Sequence, residues 1–151
     1  IIWNKKLGGN SLLVKHQPFK IHEEILVFGK VNYYPQMEKG VFRKKGGASN
    51  QNFKENRSPE IKNDLYYPKS IVEFGNTNRI NHFHPTQKPV ELIKYLISTY
   101  SNESDIILDP FLGSGTTAVA AKQLGRNYIG IEISEKYCKI AEDRLRQDIL
   151  L

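Results

Sequence analysis

A single cysteine, Cys138, leaves no partner for an internal disulfide and rules out a cysteine metal cluster. His82 and His84 stand close together, but no third histidine or carboxylate lies at ligand spacing, so no metal site is expected. No run is long or apolar enough to span a bilayer, and the opening residues lack the form of a signal peptide. These absences set aside disulfide-stapled secreted domains, cysteine-zinc modules and membrane spans. A cytoplasmic protein with no membrane partner is the expectation. The chain also opens without a methionine, with Ile1 already in what reads as a strand, which suggests a piece of a longer protein. Charge is unevenly spread along the chain. Residues 1–80 carry fourteen Lys/Arg and seven Asp/Glu, whereas residues 81–151 carry eight and nine. A basic half beside a near-neutral half suits a polyanionic partner, and nucleic acid is the usual one. The same charge also fits a plain solvated basic surface.

What is present is concentrated in Asp105–Glu132. Ile106, Ile107 and Leu108 form a short apolar run of the kind a buried parallel strand shows. Asp109-Pro110 stops it, and Gly113-Ser114-Gly115 makes a tight turn where a backbone comes close to a ligand. Thr116 or Thr117 can cap the helix that follows, and Gly125 ends it. Asn127–Ile133 is the next strand, with Glu132 near its carboxyl end. This is an α/β pattern, and ligands of open α/β sheets bind outside the carboxyl ends of the strands. Gly113, Gly115 and Ala118 fit a dinucleotide fingerprint, and Glu132 lies nineteen residues after Gly113, where an acid would hold ribose hydroxyls. An aspartate just before the glycines repels a pyrophosphate but welcomes a cationic amine and a sulfonium. The pattern therefore favours S-adenosyl-L-methionine over a dinucleotide.

Asp109-Pro-Phe-Leu-Gly-Ser-Gly-Thr-Thr117 closely resembles the cofactor motif of the DNA amino-methyltransferases, which methylate N6 of adenine or N4 of cytosine. His84-Pro-Thr-Gln-Lys-Pro89 resembles the block that this family places before the glycine motif. The order of the blocks resembles the circularly permuted members, in which they follow the catalytic half. The resemblance covers Ile1–Lys30 loosely and Tyr67–Arg146 well. It implies a Rossmann-like S-adenosylmethionine-dependent methyltransferase fold, a double-stranded DNA substrate and a restriction-modification role, with adenine N6 favoured over cytosine N4. It also implies a division into residues 1–30, an edge hairpin; 31–80, a loop-rich basic segment for target recognition; and 81–151, the cofactor-binding part.

Read in order, Ile1–Asn4 and Ile25–Phe28 are strand candidates. The family has a similar antiparallel pair, matched here by Trp3, Lys5, His22, Glu23 and Phe28. For Trp3 and Phe28, core packing competes with stacking on a flipped base. Val31–Asn63 holds Pro35, Gly40 and Gly46-Gly47 and reads as mostly loop. Arg43, Lys44, Lys45, Lys54 and Arg57 are interleaved there with Tyr33, Tyr34, Phe42 and Phe53, which suits phosphate contact and base stacking. An ordinary solvated loop is the competing reading. Pro89 suits the first turn of a helix whose stripe is Val90, Leu92, Ile93, Leu96, Ile97 and Tyr100. The amino end of that helix and Lys88 can bind an anion such as the cofactor's carboxylate. Ser134 can cap a last helix, with Ile133 stapled on Cys138 and Tyr137, Ala141 and Leu145 buried.

The resemblance also implies roles. Asp109 faces the methionine amino group, and Thr116 or Thr117 faces its carboxylate. Glu132 takes the ribose hydroxyls and Ile133 packs on the adenine. His84, Thr86 and Lys88 close the methionine end, and Pro110, Phe111, Gly113, Ser114 and Gly115 complete the motif. The family's catalytic signature, an acidic or polar residue before Pro-Pro-Tyr or Pro-Pro-Trp, has no match, because the sequence contains no Pro-Pro dipeptide. The expectation is the carboxyl-terminal half of an enzyme, inactive alone, whose sheet lacks its central strands and whose partner is the missing amino-terminal half. Two other classes remain: a non-catalytic nucleic-acid-binding module with a vestigial pocket, and a nicotinamide-dependent oxidoreductase.

Overall fold

A computed structural model describes residues 1–6, 13–45, 61–75 and 83–147. The chain divides into two compact units, Ile1–Tyr34 with Lys69–Leu151, and Pro35–Pro68.

The larger unit holds two small sheets. In the first, β1 (Ile2–Asn4) runs antiparallel to β2 (His22–Glu24) and parallel to β5 (Ile71–Glu73). Trp3 is 1% exposed and packs with Val72 and Leu92. Its indole N–H donates to the Phe74 carbonyl over 2.8 Å, which satisfies the ring's one polar atom. Core packing thus accounts for Trp3. The second strand lies earlier than Ile25–Phe28. Register places Ile25 opposite Ile1, and β2 ends at Glu24. Leu26 and Phe28 are 68% and 79% exposed.

The second sheet is the parallel pair β6 (Ile106–Asp109) and β7 (Asn127–Gly130), with Ile106 opposite Asn127 and Leu108 opposite Ile129. Three helices accompany it: α1 (Val90–Tyr100), α2 (Thr116–Gln123) and α3 (Glu135–Gln147). The apolar stripe of α1 is where periodicity places it. Ile97 packs with Ala120 and Ala121 of α2, and Val90, Ile93, Ile107 and Leu124 close around them. Small alanines let α1 and α2 approach over one face of the strands. The other face is bare: Ile106, Leu108 and Ile129 are 65%, 61% and 53% exposed. Parallel strands are ordinarily covered on both faces.

Glycine sets both ends of α2. Gly115, at φ +82°, occupies the cap position, and no side chain caps the helix, so neither threonine has that role. Gly125, at φ +68°, ends it, with Gly125 N–H on Lys122 O and Arg126 N–H on Ala121 O, a Schellman arrangement. The staple expected at α3 does not form. Ile133 is fully exposed, and Cys138 Sγ instead lies 3.5 Å from the Glu132 carbonyl. Ala141 is buried, with Tyr137 and Leu145 half-buried beside it.

The smaller unit is an antiparallel pair, β3 (Glu38–Lys45) with β4 (Ile61–Tyr66), where a mostly irregular segment was expected. The register shifts between Lys39 and Arg43. Gly40 makes room for the Tyr66 ring, since a Cβ there would lie 2.8 Å from Tyr66 Cε2. Arg43 stacks on that ring at 4.0 Å. The unit is narrower than residues 31–80, and β5, inside that span, belongs to the sheet of β1. Among the described residues, no helix is long and apolar enough to cross a membrane.

Candidate functional site

The carboxyl end of β6, the turn after it and the first turn of α2 line a small, partly open cleft. Asp109, Gly113, Ser114, Thr116 and Thr117 line it on one side, and His84, Thr86 and Lys88 on the other. Two segments far apart in sequence thus meet as the motifs imply.

Asp109 is fixed at both oxygens. The Phe111 N–H donates to Oδ1 over 3.0 Å, and the Thr117 hydroxyl donates to Oδ2. Each oxygen keeps a second lone pair, so the carboxylate can still accept from a cationic amine. The two threonines are not equivalent. Thr117 has spent its only hydroxyl proton on Asp109. Thr116 Oγ1 accepts from Arg144 Nη1 at 3.3 Å and keeps its proton.

Glu132 is held in the same way. Ser134 N–H donates to Oε1 at 2.9 Å and Gly113 N–H to Oε2 at 2.8 Å. The backbone N–H of Ser134, then that of Gly113, hold its carboxyl below the usual glutamate value. The Ile133 N–H and the nearby His84 act in the same direction. Ile133 and Phe111 stand out into solvent, 100% and 88% exposed, and Pro110 is also exposed.

His84 lies beside Gly113, where an added Cβ would sit 3.5 Å from the imidazole Cδ2. Its ring meets Tyr137 edge-on at 4.4 Å. Nδ1 accepts the Thr86 N–H at 3.2 Å, which leaves the ring proton on Nε2. Thr86 Oγ1 is 3.1 Å from the same Nδ1 and donates to it in that tautomer. Lys88 lines the cleft, but its Nζ is 2.8 Å from Glu23 Oε2 and 5.6 Å over the Trp3 ring. Lys5 holds the other Glu23 oxygen at 3.3 Å. Burial alone would raise the Glu23 carboxyl; the hydrogen bonds and charges of Lys88 and Lys5 outweigh it and lower it. The Lys88 charge is therefore directed at the β1–β2 hairpin.

Three contributors escaped the sequence reading. Gln87, 8% exposed, accepts at Oε1 from Phe83 N–H and from Ser114 Oγ, both at 3.0 Å. Arg144 reaches from α3 to the Ser114 carbonyl and hydroxyl and to Thr116. Leu112 lies against Gly130, where a Cβ would come within 2.5 Å of Leu112 Cδ2. Gln87 had a signal, as the central polar residue of the His84–Pro89 block. Arg144 follows Tyr137 and Ala141 at helical spacing, which puts it on the buried face.

The basic candidates are placed unevenly. Arg43, Lys44 and Lys45 lie on β3, while Lys54 and Arg57 lie outside the described residues. Arg43 Nη2 donates to the Leu65 carbonyl at 2.9 Å. Among the described residues, no group of three His, Cys, Asp or Glu is placed to hold a metal.

This chain is similar to known proteins. The family model described as DNA methylase matches residues 1–143. The orphan methyltransferase M.BamHII of Bacillus amyloliquefaciens is 38% identical over 75% of this chain and 43% of its own length. The type II methyltransferase M.BglII of Bacillus subtilis is 35% identical over 91% of this chain and 37% of its own. The crystal structure of an M1.HpyAVI–SAM complex aligns with a TM-score of 0.58 at 29% identity, covering 96% of this chain and 60% of that one. The chain spans less than half the length of the two curated relatives. A match over nearly the whole chain, on a mixed α/β structure with the glycine turn at a strand's carboxyl end, places this chain in the DNA methylase family.

Proposed function

We propose that this chain forms the S-adenosyl-L-methionine site, and part of the DNA-contacting surface, of a methyltransferase acting on an exocyclic amine of adenine or cytosine. The observation that carries the reading is the pair Asp109 and Glu132. Both sit at the carboxyl end of the parallel β6–β7 layer, Asp109 oriented by the Phe111 N–H and the Thr117 hydroxyl, Glu132 by the Gly113 and Ser134 N–H groups, and each with lone pairs to spare. Two carboxylates suit a ligand with an ammonium, a sulfonium and a ribose diol, and they oppose a pyrophosphate. When bound, the cofactor supplies the methyl group. The residues here hold it: Asp109 accepts from the amine, Thr116 donates to the carboxylate, and Glu132 accepts from the ribose hydroxyls. Ile133 offers an exposed apolar side chain for the adenine ring. His84 and Thr86 wall the methionine end, and Lys88 contributes its charge at longer range.

The target amine needs a separate holder, and no Pro-Pro dipeptide occurs in the 151 residues. The bare face of Ile106, Leu108 and Ile129 calls for a covering layer. An amino-terminal half of the same enzyme would supply both. The basic unit Pro35–Pro68, with Arg43, Lys44, Lys45, Lys54 and Arg57, would contact the phosphates of double-stranded DNA. Nucleoside mass spectrometry of methylated DNA would tell the two bases apart.

Calorimetric titration of the full chain tests the cofactor reading. Binding of S-adenosylhomocysteine, lost in Asp109→Asn, with none of a nicotinamide dinucleotide, is expected. A preference for the dinucleotide would overturn the reading.

A further inference from the structure

Arg144 lies on the last helix, yet it is tied to the glycine turn at three acceptors. Its Nη1 reaches the Ser114 carbonyl, Ser114 Oγ at 3.2 Å and Thr116 Oγ1 at 3.3 Å. Its guanidinium carbon stands 5.4 Å from the Phe83 ring centre. The approach of α3 is set by Gly115, where a Cβ would lie 2.7 Å from the Ala141 Cβ. One helical step beyond Ala141, the arginine arrives over the turn.

The two Nη1 hydrogens are shared among these three acceptors, and the hydroxyl protons of the turn go elsewhere. Ser114 gives its hydroxyl proton to Gln87 Oε1, so its oxygen accepts from Arg144. Thr117 gives its proton to Asp109. Thr116, 7% exposed and lining the cleft, accepts from Arg144 and has its own proton left to give. A cationic donor on a hydroxyl oxygen makes that hydroxyl a stronger donor in turn.

We infer that Arg144 is a positioning residue for the carboxylate of the cofactor's amino-acid end, acting through Thr116 and Ser114. The inference rests on the cofactor reading above and adds a residue outside both sequence motifs. Arg144 does two things there: it orients the Thr116 hydroxyl toward the cleft, and it places a positive charge one hydrogen bond behind it. Gln87 fixes Ser114 from the opposite side, so the turn is clamped between α3 and the His84–Pro89 block.

The test compares two ligands on the full chain by calorimetry: S-adenosylhomocysteine, which carries the amino acid, and 5′-methylthioadenosine, which lacks it. Arg144→Met should weaken the first by roughly tenfold or more and leave the second within about twofold. Arg144→Lys should recover part of the loss. Thr116→Val, with Arg144 intact, should reproduce the selective loss, which keeps the test valid if Arg144→Met fails to fold. Equal weakening of both ligands in the variants would mean a merely structural arginine and overturn the inference, as would no change in either. Wild-type chain that binds both ligands equally well would overturn it while leaving the cofactor reading intact. Wild-type chain that binds neither would overturn both.

Discussion

The backbone N–H of Gly113 donates to Glu132 Oε2 over 2.8 Å, joining the glycine turn after β6 to the chain just past β7. Through Ser134 N–H on the other oxygen, one carboxylate holds the turn and the entry to α3 together. The acid that the sequence offers for ribose is therefore also a structural tie.

That double role has a pH signature. The Glu132 carboxyl is lowered from its ordinary 4.5, first by Ser134 and then by Gly113. A lowered folded-state value means that the native state favours the carboxylate. Its stabilisation is complete above the unfolded value and is lost as pH falls through the lowered one. Urea unfolding of the wild type should weaken below about pH 4.5, and Glu132→Gln should remove part of that slope. Glu23 is lowered too and titrates in the same window, so the informative quantity is the difference between the two proteins. The glutamine has one oxygen for two N–H donors and turns its amide against the other. At neutral pH the variant should be less stable and bind S-adenosylhomocysteine roughly tenfold or more weakly. Identical pH slopes would contradict the tie.

Two glycines separate backbone strain from packing. Gly115 and Gly29 share a left-handed φ, +82° and +83°. A Cβ on Gly29 meets nothing within 4 Å, whereas one on Gly115 would lie 2.7 Å from Ala141 Cβ and 3.0 Å from its backbone. Either alanine should cost about 1–2 kcal/mol for the conformation. Gly115→Ala should lose a further ~1–3 kcal/mol from forced contact. Denaturant midpoints of the two variants measure this; equal losses would mean that α3 gives way freely.

Local signals carried the cofactor half of the chain. The stripe Val90–Tyr100, the apolar run before Asp109 and the stop at Gly125 each act within a few residues, and each element forms where they place it. What escaped depends on contacts distant in sequence. Lys88 reads as an anion ligand beside a helix end, but its ion pair is with Glu23, 65 residues earlier. Arg144 shares the helical spacing of Tyr137 and Ala141, but its partners appear only when α3 docks on a turn 30 residues before it. The β3 strand is rich in lysine and contains Gly40, so no alternation marks it. It forms through pairing with β4 and through Tyr66, which needs the space that Gly40 leaves. Ile133 follows the rule for a staple, yet the chain turns at Ser134 to reach Glu132, and the side chain is left outside.

DNA binding should carry a steep salt dependence. Residues 38–80 hold nine Lys/Arg against five Asp/Glu. Each phosphate contact contributes a slope of about −0.9 in log K against log salt. Reversing Arg43, Lys44 and Lys45 to Glu should flatten that slope and weaken binding to duplexes of any sequence alike. Arg43→Ala alone should do less to the slope, since its guanidinium is already engaged by Tyr66 and the Leu65 carbonyl. An unchanged slope in the triple variant would place the phosphates elsewhere.

The chain alone should transfer no methyl group. An exocyclic amine is a poor nucleophile because its lone pair is delocalised into the ring, so the enzyme must hold it with acceptors aimed to localise that pair. Positioning and preorganised polar groups supply most of the rate in such a case. In the cofactor reading Asp109 and Glu132 are given to the cofactor, and Glu23 is paired with Lys5 and Lys88. Tyr34-Pro35 and Tyr67-Pro68 have the order of the expected signature reversed and no acid before them. An upstream half bearing that signature should restore transfer when supplied in trans, docking on Ile106, Leu108 and Ile129. A labelled-methyl assay on duplex DNA would show counts only on mixing. Leu108→Asp should abolish complementation while leaving the chain's helical circular dichroism and its S-adenosylhomocysteine affinity unchanged, because the 61%-exposed side chain faces away from α1 and α2. Turnover by the chain alone would overturn the division of labour, and full complementation by Leu108→Asp would move the interface off this face.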